Sequence, residues 1–173
     1  GPSGTYGFRE SLSILGSAVG KSFGSEPLTY EETIIFDSRC CRAVAAFAVG
    51  IGLSVAGAMY QAIIRNPMVD PYIMGVSAGA GVAAVATIAF DFTFFGLFDS
   101  VTLVTPLVAM VGGLIAFACT MLLAEKAGGA SINYVLAGII IGLVFSAIQT
   151  LMLSMAGDKL NDAMSWLFGS FAN

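Results

Sequence analysis

Four stretches of this chain carry no Asp, Glu, Lys or Arg: residues 43–64, 72–90, 101–124 and 134–156. Each is 19 to 24 residues long, and all 7 basic and 11 acidic residues fall between or outside them. At helical rise, about 20 residues cross the roughly 30 Å of hydrocarbon in a bilayer. Core helices of water-soluble proteins are typically shorter and keep a polar face. The windows therefore predict four spanning helices in an all-α, polytopic transmembrane bundle. Composition agrees. The chain has 173 residues, 57% of them hydrophobic and 10% charged, with a mean hydropathy of +0.90. One core of this size cannot hide so much apolar surface from water.

The segments between the windows set the turns. Phe8, Leu12, Leu15, Val19 and Phe23 form one apolar stripe at helical spacing, which predicts an interfacial helix within a segment 1–38. Glu26, Glu31, Glu32 and Asp37 make the rest of that segment acidic. The chain opens Gly1-Pro2-Ser3-Gly4, as a tag remnant or a cut inside a longer protein would, and no signal peptide is visible. Pro67 disfavours helix at Asn66, so the first span should stop there. Asp70 is placed to cap the second helix and Pro71 to sit in its first turn. Asn66, Pro67, Asp70 and Pro71 thus read as one tight helix-turn motif. The loop after the second span carries Phe92, Phe94, Phe95 and Phe98, rings suited to a membrane interface. Gly128-Gly129 should end the third span, with Ser131 or Asn133 capping the fourth. The stretch 163–171, with Trp166, is too short to cross and reads as interfacial or as the start of a fifth span. Small residues four apart (Gly50/Ser54, Gly52/Ala56, Gly75/Gly79, Ser77/Gly81, Gly138/Gly142/Ser146) predict close helix packing.

Catalysis finds little support. The chain has no histidine. Cys40, Cys41 and Cys119 lack metal-binding spacing, so no metal site and no cofactor are expected. The run Gly16-Ser17-Ala18-Val19-Gly20-Lys21-Ser22 is one residue short of a phosphate loop and follows no strand, so this chain is not expected to bind ATP. Gly75-Val76-Ser77-Ala78-Gly79 matches a hydrolase elbow in letters only, since it lies in an apolar window without a partner histidine. No catalytic residue and no nucleic-acid partner are assigned. Gln61 and Gln149 are the largest polar side chains in the windows, and Gln149, near the middle of the fourth, could line a pathway or bond between helices. Arg39 and Arg42 stand three apart before the first span, on one helix face, where snorkelling at the interface also accounts for them.

From Arg39 to Gly81 the sequence resembles the iron-siderophore, haem and cobalamin permease family of ABC importers. The residues are Ala56-Gly57-Ala58-Met59-Tyr60-Gln61, then Arg65-Asn66-Pro67-Met68-Val69-Asp70-Pro71-Tyr72-Ile73-Met74-Gly75-Val76-Ser77-Ala78-Gly79-Ala80. Leu136-Ala137-Gly138 and Trp166-Leu167-Phe168-Gly169-Ser170 are similar to two later family landmarks. The resemblance implies a fragment, covering roughly helices two to five, of a ten-helix permease in the plasma or inner membrane. Residues 39–173 would be part of the transmembrane domain, and 1–38 would lie outside the cell. Its expected partners are a second permease copy in a homodimer, separate ATP-hydrolysing subunits, an extracytoplasmic substrate-binding protein and lipid. Arg39 and Arg42 match the family's paired arginines and would meet acidic residues of the binding protein, with Cys40-Cys41 standing where the family has Leu-Pro. The fourth span would line the translocation path, giving Ser131, Gly138, Gly142 and Gln149 as path and gate residues. This topology leaves Arg65 and Lys126 inside and the other basic residues outside, against the positive-inside tendency. The competing class is a channel or secondary transporter segment without an ATPase partner. That class would call for charged or broken-helix sites at the midplane, and no window holds a charge.

Overall fold

The computed structural model describes residues 7–24, 27, 29–91 and 101–169. The expected aromatic loop with Phe92, Phe94, Phe95 and Phe98, and Ser170, lie outside the described residues. Those described form helices and turns, with no strand among them. In chain order the helices are α1 (Phe8–Gly24), α2 (Tyr30–Thr33), α3 (Cys41–Ile64), α4 (Val76–Ala89), α5 (Val101–Lys126), α6 (Ser131–Met155) and α7 (Leu160–Phe168). A π-helical stretch, Ile34–Cys40, joins α2 to α3. The chain forms two compact units, one within Gly1–Gly52 and one over Leu53–Ser170.

In the first unit, α1 docks on α2 and the π-helical stretch. Its inner face includes Ala18, which is fully buried, and Ile35 is buried on the other side. The polar centre of this contact is Glu32. Its carboxylate accepts the Thr29 backbone N–H at 2.8 Å, Lys21 Nζ at 2.9 Å and the Ser17 hydroxyl at 2.8 Å. Thr29 and Glu32 form a capping box at the start of α2. These donors favour the ionised form, the Thr29 N–H most and then Lys21, and hold the Glu32 carboxyl at about 2 instead of the ordinary 4.5.

The second unit holds α3 from Leu53 onward and α4 to α7. Among the described residues, three helices are long and apolar enough to span a membrane: Tyr30–Ile64, Val104–Lys126 and Ser131–Met155. Their apolar side chains face outward along much of their length, as with Phe47 at 71% exposed and Leu143 at 67%. A surface that large and that apolar belongs in hydrocarbon. The second window is not one helix. Residues 71–75 are turns, and α4 begins only at Val76. With 14 residues, α4 rises about 21 Å, less than the hydrocarbon thickness. It is instead the buried centre of this unit, with Gly79, Gly81, Ala84, Val85, Thr87 and Ile88 buried.

Glycine lets the neighbours come that close. A Cβ on Gly79 would lie 2.6 Å from the Gly112 carbonyl oxygen, and one on Gly112 would lie 2.5 Å from that of Gly79. Backbone therefore meets backbone where α4 crosses α5. On the other side, a Cβ on Gly138 of α6 would strike the Ile73 carbonyl and lie 3.0 Å from Met74 Cα. The small-residue pairs around Gly75, Gly79, Gly138 and Gly142 thus serve close helix packing. In α3, a Cβ on Gly50 or Gly52 would meet nothing within 4 Å among the described residues. At the end of the unit, α7 packs through Ala163 on Val85 and Ile88, with Met152 and Leu153 beside them. Lys159 pairs with Asp91 at 3.1 Å in the open.

The expected cap of the fourth span also differs. The N-cap of α6 is Ala130, and Asn133 Nδ2 reaches back to the Ala127 carbonyl at 2.8 Å. Gly128 (φ 109°) and Gly129 (φ 67°) turn the chain after α5, as expected. The stretch expected from 163 is helical from Leu160 to Phe168.

Two outcomes are expected. Gly79→Leu should destabilise the chain by about 2 kcal/mol or more, since the side chain enters a backbone-to-backbone contact. Thermal unfolding in detergent measures this. The second concerns Glu32. Its folded pKa is depressed, so its stabilising effect is complete above about pH 4.5 and is lost as pH falls toward 2. Spin labels at positions 16 and 31 should keep one separation from pH 8 to 5 and move apart only as pH falls toward 2. Glu32→Gln should show the loosened separation throughout.

Candidate functional site

The helix-turn motif is built by local hydrogen bonds. Arg65, at φ 55°, ends α3 in the left-handed region. The Asn66 N–H then bonds to the Gln61 carbonyl at 3.3 Å, and Asn66 Oδ1 accepts the Met68 N–H at 3.0 Å. Gln61 is exposed. Its Nε2 donates to the Pro67 carbonyl at 3.3 Å and ties the end of α3 to the turn. Asp70 caps, but caps the turn and not α4: its Oδ1 accepts the Ile73 N–H at 2.7 Å. Gly75, at φ 77°, separates this turn from α4. Val69 and Met74 are fully buried with Ile64, against Tyr60, Phe117 and Tyr134. Thr120 Oγ1 donates to the buried Met74 carbonyl at 3.0 Å, pinning the turn to α5.

The turn places Tyr72 and Ile73 at one end of a cleft of about 530 Å³. One wall is α4, with Ser77 and Ala78. The other is α6, with Gly138, Gly142, Ser146 and Gln149, and Leu167 of α7 lies at the far end. From Gly138 to Gln149 the wall rises about 16 Å. None of the lining residues is charged. The side chains of Ser77, Ser146 and Gln149 make no hydrogen bond to other described residues. Three such groups facing hydrocarbon would be costly, so the cleft suits water, a polar cargo or a further protein surface. Among the described residues no cluster of His, Cys, Asp or Glu could hold a metal ion.

Gly138, Gly142 and Gln149 meet in this cleft as a group. Ser131 does not line it and lies at the first turn of α6. Arg39 and Arg42 belong to the other compact unit. Arg42 is exposed, while Arg39 is half-buried at the end of the π-helical stretch. Tyr72, Ser77, Ser146 and Leu167 were not expected at the site. Ser146 continues the Gly138, Gly142 spacing, and that was its available signal. Leu167 reaches the cleft only because α7 folds back on α4.

The described helices thus define a membrane-protein bundle with a polar-lined, charge-free cleft between small-residue helices. Residues 9–173 match the FecCD transport family, and the chain belongs to it. It is 38% identical over 154 residues to the iron-uptake system permease protein FeuC of Bacillus subtilis, covering 86% of this chain and 45% of that protein. It is 34% identical over 145 residues to the molybdate import system permease protein MolB of Haemophilus influenzae, covering 82% and 41%. It is 30% identical over 141 residues to the vitamin B12 import system permease protein BtuC of Serratia proteamaculans, covering 81% and 41%. The chain thus spans less than half the length of these relatives. A solved structure of a metal-chelate type ABC transporter, in an inward-facing conformation, aligns with a TM-score of 0.64 at 29% identity. The alignment covers 94% of this chain and 53% of that one. The chain is a multi-pass membrane protein.

Proposed function

We propose that this chain is part of the permease subunit of a binding-protein-dependent ABC importer, and that the cleft between α4 and α6 is part of its translocation path. The observation that carries this reading is the cleft itself: three polar side chains with no hydrogen-bond partner among the described residues line a charge-free groove in an otherwise apolar bundle. Such a lining lets a bulky solute pass without a strong binding step. The relatives named for iron uptake and vitamin B12 import support an iron-siderophore or cobalamin-type cargo. ATP would be hydrolysed by partner subunits, a second permease copy would complete the path, and an extracytoplasmic protein would deliver cargo.

The path reading is tested in the full-length transporter reconstituted with its partners. Gly142→Leu fills the cleft at its middle and should lower uptake of a ferric siderophore or cobalamin at least tenfold. ATP hydrolysis without binding protein should stay within about twofold. Uptake within twofold of wild type refutes the path, and uptake independent of ATP returns the channel or secondary-transporter class.

Arg39 and Arg42 are proposed to dock the substrate-binding protein. Arginine pairs with carboxylates at two points, and exposed pairs steer a partner in a salt-dependent way. Reversing both to Glu should weaken docking by about 1 kcal/mol or less per contact, and the effect should shrink at high salt. An affinity and salt dependence equal to wild type would leave both arginines as interfacial anchors.

A further inference from the structure

We propose that Gly81 is a positioning residue for Gln149. The missing side chain at position 81 is a notch that receives the Gln149 carboxamide, and this keeps the α7 end of the cleft open. The inference rests on the cleft being part of the path.

Gly81 is buried on α4. A Cβ there would run into Gln149 Oε1, lie 3.1 Å from Gln149 Cδ and touch Leu167 Cδ2 at 3.5 Å. Gly79, one half-turn away, is different, because its Cβ would meet the backbone of α5. Gly81 therefore does not serve a close approach of backbones. What fills its space is side chain, one from α6 and one from α7. Of the two, Gln149 is the tighter contact by far.

The Gln149 carboxamide makes no hydrogen bond to other described residues. Shape alone holds it where it lies. A glutamine side chain has three rotatable bonds and occupies staggered positions. A methyl group at position 81 removes the position against α4. Gln149 already lines the cleft, with Ser146 one turn before it on the same wall and Ser77 opposite. The displaced carboxamide then swings into the open volume of the cleft, which is the space that does not resist it. A buried, overpacked site tolerates no other cheap adjustment.

The test uses the full-length transporter in membrane vesicles, with every native cysteine replaced and a single cysteine introduced as Ser146→Cys. The probe is a membrane-impermeant cationic methanethiosulfonate, and the readout is its labelling rate. Labelling of this reference protein tests the path reading by itself: a reference that does not label removes that reading. Given labelling, Gly81→Ala should slow it fivefold or more. Adding Gln149→Ala should restore it to within twofold, whereas adding Leu167→Ala should not. An unchanged rate in Gly81→Ala overturns the notch and leaves the path standing. Restoration by Leu167→Ala, or by neither change, also overturns it and assigns Gly81 to the packing of α7. Where Gly81→Ala does not reach the membrane, Gln149→Ala alone decides. Its labelling should stay within twofold of the reference, and a fivefold rise would mean that the carboxamide already blocks the cleft.

Discussion

Backbone touching backbone at Gly79 and Gly112 is the contact around which the second unit is arranged. In lipid, apolar side chains gain nothing from leaving the solvent, so helices associate through close van der Waals contact and a few polar bonds. The reciprocal glycines let α4 and α5 approach until each carbonyl lies where the other residue's Cβ would be. Once α4 is held there, its opposite side is available to α6. The approach of Gly138 to the Ile73 and Met74 backbone seats α6 against the turn that leads into α4. The cleft is the space left where α4 and α6 diverge beyond this contact.

The Asn66–Asp70 turn matters for the same reason. A continuous helix through 72–75 would carry the α4 axis past the glycines of α6. Gly75 in the left-handed region lets the chain leave the turn and begin a short helix in a new direction. The change of direction exposes the Met74 carbonyl, which Thr120 satisfies inside the core. Cap, glycine and threonine together fix where Tyr72 and Ile73 stand, and so fix one end of the cleft. The first unit is held in another way, by a carboxylate with three donors. Its contact answers to pH, and the glycine contacts do not.

Much of the candidate site was legible in the residues. Gly138, Gly142 and Gln149 share a helical face by spacing alone, and they do line one cleft. Ser131, seven residues before Gly138, shares that face, but α6 starts at that residue and the cleft begins farther along. Gln61 lies near the end of its window and Gln149 near the middle of its own. One closes a local turn and the other reaches across to α4, a difference that depends on what lies opposite. The same holds for the glycines. Gly50 and Gly52 have the spacing of packing residues, yet among the described residues a Cβ on either would meet nothing within 4 Å, while Gly112, four before Ala116, meets the Gly79 backbone directly.

By itself, the sequence determined the solvent, the class and most of the helices. Charge-free runs of spanning length admit no other environment, because each exposed charge or unpaired backbone group in hydrocarbon is too costly. The N-P-x-x-D-P string determined where the first span stops, because proline and an Asp cap act on their immediate neighbours. Only the tertiary structure decided that the second window is a turn and a short buried helix. Hydropathy does not distinguish a residue facing lipid from one facing protein, since both environments are apolar. Only the tertiary structure, too, brought Gly81, Gln149 and Leu167 to one point. They come from three helices, and their meeting depends on the crossing of α4 with α6 and the return of α7, which no local spacing encodes.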